Sequence, residues 1–366
     1  MAQAGRCAAA ETPDDPAGNA FSLLLLLTCL APHAFAAAPP PSLPGRVHLP
    51  IETHLSVRLL NITRLEETKG EISARVEYTQ GWKDPNQAFD PLAAGVYRHD
   101  YFGEEAEAKI AAIWTPDVTI ANQIDEPRSR SVALSISADG TMSLIRQLDA
   151  DFRISVDLAA FPFDRQNIDF VFTAPRYSAS DLIFVVDDRD REISAIADQI
   201  SISDWRPERL SFALTQFYGW NAKPFVRATV TATVSREWPR YLLRIFIPFA
   251  AVVSVSLFIL WAPDKVKVDH AGITYSALLA LAALSFTFES SFPGSMSVNS
   301  PIAFMISLGY FYLVLTLLVH LGLQHAEFPA ARRNAYLIEE IHRSVRFTLP
   351  AIFTLICICS VVRSLS

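Results

Sequence analysis

The order of apolar and polar positions divides the chain near Arg236. From about Val47 to Arg236, short runs alternate apolar with polar or are rich in β-branched residues: ISARVEYTQGW at 72–82, SVALSIS at 131–137, NIDFVFTA at 167–174, RLSFALTQFYG at 209–219 and FVRATVTATVSR at 225–236. Turn-forming strings such as DPNQ, ADGT and WNAKP separate them. A period of two over such lengths predicts strands, and several in succession predict an all-β, immunoglobulin-like antiparallel sandwich. Only DYFGEEAEAKIAAIW at 100–114 breaks the pattern, and it predicts a short helix. After Arg236 come four apolar runs, at about 241–262, 271–288, 301–323 and 347–362. They predict an all-α four-helix transmembrane part over 238–366.

A further apolar run, FSLLLLLTCL at 21–30, is too short to span a bilayer and is followed by small residues at Ala34 and Ala36. It predicts a secretory signal over 1–36, which makes 37–237 the exported sandwich. An even number of spans then returns the C-terminus to the outer side. The connecting segments APDKVKVDH and EFPAARRNAYLIEEIHR carry Lys or Arg and would face the cytoplasm.

Composition agrees with a soluble half joined to a membrane half. Hydrophobic residues make up 51% of the 366 residues and charged ones still 19%, with a mean hydropathy of +0.24. Residues 38–237 hold 21 Lys and Arg against 29 Asp and Glu, a net charge of −8, which disfavours nucleic acid and favours local enrichment of cations. Cys7 and Cys29 fall in the signal, and Cys357 and Cys359 in the last apolar run, so the sandwich has neither a disulfide framework nor a cysteine zinc site. No phosphate loop or nucleophile elbow is present, and neither an enzyme activity nor a cofactor is expected. The string DDRDRE at 187–192 reads as a solvated loop of mixed charge, with a divalent-cation site as its alternative.

The second apolar run is unlike the others. One helical face reads Gly272, Ser276, Leu279, Ala283, Phe286, Ser290. Such a stripe of small and hydroxylated residues meets either a neighbouring helix or water. Asp269 and Glu289 stand at its two ends, where rings of carboxylates would attract cations if the helix were repeated around an axis. A second oddity is Phe161-Pro162-Phe163-Asp164 in the 154–168 loop. Two rings flank a proline that cannot sit in mid-strand, and they need a partner surface.

Together these residues resemble the pentameric ligand-gated ion channels, the Cys-loop receptor superfamily, and most strongly a bacterial, proton-gated member. Ile154 and Ile168, with thirteen residues between them, stand where animal members place two disulfide cysteines. FPFD at 161–164, WKDPNQAFDP at 82–91, IWTPD at 113–117 and ADGT at 138–141 match the family in order. Arg236 precedes Pro248 by twelve residues, as in the bacterial relative.

The resemblance implies a homopentamer in a bacterial inner membrane, with the sandwich in the periplasm and membrane lipid around the helices. It would pass cations when an unidentified small molecule or proton acts from outside. It implies that Gly272, Ser276, Leu279, Ala283, Phe286 and Ser290 line the pore and that Asp269 selects ions. Glu67, Phe161, Pro162, Phe163, Asp164, Arg236 and Pro293 would couple sandwich to pore, or close the boundary structurally. Positions matching the family's aromatic ligand box are largely emptied, leaving Glu77, Tyr177, Tyr218, Trp220 and Phe225 as ligand candidates or packing residues. His270 at the inner mouth is read as solvated, with a pH role as the alternative. Two rival readings remain: a non-conducting, membrane-anchored periplasmic sensor, and an anion channel of the same fold, to which Lys265 and Lys267 would contribute.

Overall fold

A computed structural model describes residues 43–45, 47–197, 200–261, 269–292, 300–325 and 335–365. The expected signal with Cys7 and Cys29, the two lysines at 265 and 267, and Pro293 lie outside the described residues.

The polar half is a two-layer β structure. One sheet holds β1 (Ile51–Glu66), β2 (Glu71–Lys83), β3 (Arg98–Phe102), β5 (Ser129–Ser137), β6 (Thr141–Arg153) and β8 (Leu182–Val185), in the order β3-β5-β6-β2-β1-β8. The short β9 (Ala195–Ile196) also pairs with β1. The second sheet runs β10-β11-β7-β4, from β4 (Thr119–Ile120), β7 (Arg165–Thr173), β10 (Trp205–Tyr218) and β11 (Pro224–Arg236). The expected antiparallel pairing holds except at β1, where β8 and β9 join in parallel.

Alternation explains the layers. On β1, Ile51, Thr53, Leu55, Val57 and Leu59 point inward, and Val76, Tyr78 and Trp82 do so on β2. Phe152 from one sheet meets Phe170 from the other edge-on, with ring centroids 5.0 Å apart. Each such buried side chain contributes about 1.5–3 kcal/mol by leaving water. The expected helix is α1 (Gly103–Ala112). DDRDRE is not a loop: most of it forms α2 (Asp188–Ile193), closed by a capping box in which Asp187 and Asp190 each accept the other's backbone N–H.

After Arg236 the chain is helical. Pro239–Tyr241 makes a single turn, Leu242–Phe246 is a π-helix, and α3 (Ile247–Trp261) follows. Pro248 has no N–H to donate to Arg244, and the wide π turn falls where that bond is missing. Then come α4 (His270–Ser291), α5 (Pro301–His325) and α6 (Ala335–Leu365). Among the described residues, three helical segments can cross a membrane by length and composition: His270–Ser291, Pro301–Gly322 and Arg343–Ser364. The first of the four expected runs is met by α3, which has 15 described residues and is preceded by the π turn at Leu242–Phe246.

These helices pack on one another around Phe249, Leu281, Phe288, Ile306, Leu313 and Phe353. A Cβ on Gly309 would lie 3.1 Å from the Phe249 ring and 3.2 Å from Leu281, so glycine lets α5 approach closely. Hydroxyls within the helices turn back on their own backbone. Thr274, Ser276, Thr287 and Thr316 each donate to the carbonyl four residues earlier, which satisfies them without water.

Candidate functional site

The two halves meet at Arg236, the last residue of β11, which stands in register with Trp205 on β10. Its backbone N–H donates to the carbonyl of Asp164 at 3.1 Å. Its side chain is almost wholly buried and uses all three nitrogens. Nε and Nη2 donate to the two oxygens of Asp164 at 2.6 and 3.0 Å, Nη2 donates also to Glu67 Oε1 at 2.6 Å, and Nη1 donates to the Tyr241 hydroxyl at 3.1 Å. Rings enclose the cation, with Trp205, Phe161 and Tyr241 centroids 4.2, 4.6 and 5.6 Å from the guanidinium carbon. Fork geometry and stacking together suit Arg and not Lys. Gln166 completes the node by donating to Asp164 Oδ2 at 2.7 Å and to the Asp157 carbonyl at 2.6 Å.

Charge is shared unequally among the three ions. Burial alone would lower the pKa of Arg236, but its hydrogen bond and charge contact with Asp164, then the charge of Glu67, outweigh that and hold it above its usual value. Glu67 has a single contact, and there burial dominates: its carboxyl is raised from 4.5 despite the attraction of Arg236. Asp164, which accepts two hydrogen bonds from the guanidinium, fixes the arginine, and Glu67 adds one more.

The rings around Pro162 reach the helical half. Phe161 is fully buried within the helices' apolar core and lies 5.4 Å from Tyr241 and 6.4 Å from Phe292, the residue that caps α4. Phe163 goes to a different surface, 5.6 Å from Trp238 and 6.3 Å from Phe246. The peptide between Phe161 and Pro162 is cis. Glu67, Phe161, Asp164 and Arg236 thus form one contact network. Sequence reading missed its other members, Trp205, Tyr241, Gln166, Trp238, Phe246 and Phe292. Only the register of Trp205 opposite Arg236 offers a signal for any of them, and it requires knowing the strand pairing.

On α4 the named face is the uncovered one. Leu279 and Phe286 are 73% and 72% exposed, Ser276, Ala283 and Ser290 are exposed, and Gly272 is half-buried. Thr274, Ala277, Leu281 and Phe288 face inward. Asp269 is exposed and caps α4, its Oδ1 accepting from the Gly272 N–H at 2.9 Å. His270 is not a solvated mouth residue. It is half-buried, and its ring centroid lies 4.0 Å from that of His320 on α5.

The ligand candidates do not converge within one chain. Phe225 is buried 6.4 Å from Trp220 and 5.9 Å from Phe217, while Tyr218 and Trp220 are 81% and 69% exposed. Tyr177 packs 5.5 Å from Trp114, the tryptophan of the IWTPD string, which is not among the ligand candidates. Glu77 lies on the other sheet and pairs with Arg58 at 3.1 Å.

The sandwich bears through a buried arginine on a bundle of helices, three of which are, among the described residues, long and apolar enough to cross a membrane. Residues 40–237 match the family described as the neurotransmitter-gated ion-channel ligand binding domain, and the chain belongs to that family, the pentameric ligand-gated ion channels of the Cys-loop superfamily. It is similar to the proton-gated ion channel of Gloeobacter violaceus, 22% identical over 87% of this chain and 84% of that protein. It is also similar to the neuronal acetylcholine receptor subunit alpha-10 of Rattus norvegicus, at 28% over 67% of this chain, and to the gamma-aminobutyric acid receptor subunit theta of Mus musculus, at 21% over 78%. The chain spans about half the length of these animal relatives, 53% and 44%.

Proposed function

We propose that this chain is one subunit of a homopentameric channel whose four helical segments, α3 with its π turn and α4 to α6, cross the bacterial inner membrane. The sandwich stands in the periplasm, and a small molecule or proton acting on it opens a path for cations. The observation that carries this reading is the face of α4. A helix that buries Leu281 and Phe288 yet leaves Leu279, Phe286 and three small residues uncovered has a face suited to neighbouring copies and a central pore. Asp269 at the end of that face supplies the negative ring that favours cations.

In this reading Arg236, Asp164, Glu67 and the two rings around Pro162, with Pro293 beyond them, transmit the state of the sandwich to the helices. The exposed aromatics Tyr218 and Trp220, with Tyr177 and Phe225 behind them, would face Glu77 of an adjacent subunit across the agonist cleft. Gating needs the stimulus to bind the open state more tightly than the closed one, so a site built between subunits gains its effect as they move. Recording from purified protein in planar bilayers, across pH steps and cation gradients, tests the reading. A cation current that opens and closes supports it. Protein that inserts but never conducts identifies the anchored sensor, and a chloride reversal potential identifies the anion channel.

A further inference from the structure

Away from the boundary, β1 and the connection between β8 and β10 bring an imidazole and two carboxylates together. His54 Nδ1 lies 3.0 Å from Asp190 Oδ2 and 3.6 Å from Asp187 Oδ2, and the three donor atoms all fall within 4.8 Å of one another. The carboxylates are not loose surface groups. Asp190 is buried, and the capping box fixes both: Asp187 Oδ1 accepts from the Asp190 N–H at 2.7 Å, and Asp190 Oδ2 from the Asp187 N–H at 3.1 Å. Among the described residues neither carboxylate is paired with a lysine or arginine. Arg191, on the same short helix, turns its guanidinium over the Phe212 ring instead.

An Nδ1 lone pair facing two carboxylates is repulsive, so the arrangement calls either for an Nδ1–H donated to Asp190 at 3.0 Å or for a cation among the three groups. One N–H can satisfy only Asp190, because 3.6 Å is too long for a hydrogen bond to Asp187. A metal ion serves all three. Donors bound tetrahedrally at roughly 2.0–2.2 Å stand about 3.3–3.5 Å apart, and the measured 3.0 and 3.6 Å bracket that spacing. Across the sheet His54 is paired with Gly81 on β2 and Val185 on β8, neither of which titrates, and a Cβ on Gly81 would already touch the His54 Cβ at 3.4 Å. On β1 itself Glu52, two residues away, lies on the same face and adds negative charge.

We infer that His54, Asp187 and Asp190 form a binding site for a divalent transition-metal ion of the zinc class, bracing the β8–β10 connection against β1. One nitrogen and two oxygens suit zinc, whereas magnesium and calcium prefer all-oxygen shells.

Full-length protein stripped with chelator and freed of any affinity tag is titrated with Zn2+ against a chromophoric chelator, and separately with Co2+. Wild type should bind one metal ion per chain that His54→Gln loses, with a tetrahedral Co2+ band in the visible spectrum. His54→Gln and Asp187→Asn should each weaken zinc by at least about tenfold. Asn caps a helix as well as Asp does, so the second variant keeps α2 in place. Magnesium should be unable to compete with zinc for the site. Wild-type zinc affinity in both variants would overturn the assignment, as would a Co2+ band indifferent to either substitution or an absence of saturable zinc binding in wild type.

Discussion

Arg236 and Asp164 are joined twice through their side chains and once through the backbone, across 72 residues of sequence. The last residue of the sandwich is thereby tied to the loop whose rings sit among the helices. Removing the guanidinium strands a buried carboxylate, which costs about 3–5 kcal/mol when one partner of a buried pair is lost. Arg236→Ala should therefore reduce the assembled fraction on size-exclusion chromatography, or abolish current in channels that still assemble. Arg236→Lys should recover little of either, because an ammonium cannot hold Asp164 by a fork and reach Glu67 as well. Wild-type current in the lysine variant would count against the fork.

Glu67 gives the boundary a pH dependence. Burial raises its carboxyl above 4.5, so the folded protein holds that proton more tightly than the unfolded chain does. The corresponding stability is fully present below pH 4.5 and is lost as pH climbs through the raised value. Melting temperature should decline over that window, and Glu67→Gln should flatten the decline. An identical slope in wild type and variant would place the dependence elsewhere.

Leu279 is the largest aliphatic side chain on the uncovered face of α4. A ring of leucines closes a pore by dewetting, so Leu279→Ser should ease opening and slow closure. The measurement is the activation curve at matched surface expression. An unshifted curve removes Leu279 from the gate.

Asp269 and Glu289 should separate selectivity from sensitivity. Asp269→Asn is expected to move the reversal potential in a dilute salt gradient toward zero with little change in agonist response, since charges crowded at a narrow mouth are only partly screened. Glu289→Gln should change the response more than the reversal potential. A reversal potential untouched by Asp269→Asn would dismiss the inner carboxylate ring.

Local pattern carried far into the fold. The runs at 72–82, 131–137, 209–219 and 225–236 each lie within a few residues of β2, β5, β10 and β11, because alternation is a property of neighbours along the chain. The parallel pairing of β8 and β9 with β1 left no such trace, since it joins residues more than a hundred positions apart. Phe161, Asp164 and Arg236 stood out because apolar rings at a turn and a charge at a composition boundary are locally anomalous. Trp205 and Tyr241, which complete the aromatic enclosure, are ordinary in their own segments. DDRDRE misled for a related reason. Its capping box is a three-residue matter, but His54, which turns the pair of acids into a donor set, comes from another strand. His270 looks solvated in the sequence because nothing near it announces His320, on a different helix.

β1 has a mechanical consequence of its own. It carries His54 near one end and leads directly into Glu67 at the other, a reach of roughly 40 Å at about 3.3 Å per residue. Ladders with β2 on one edge and with β8 and β9 on the other keep it from rotating freely. Its pairing with β2 slips only between Leu59 and Asn61 and between Ile62 and Arg64. The strand therefore behaves as a strut with two soft joints on the side nearer the membrane helices. A push at the His54 end would arrive at Glu67 largely as bending at Asn61–Arg64, and stiffness at those few residues would set how much of a movement in the sandwich reaches the helices.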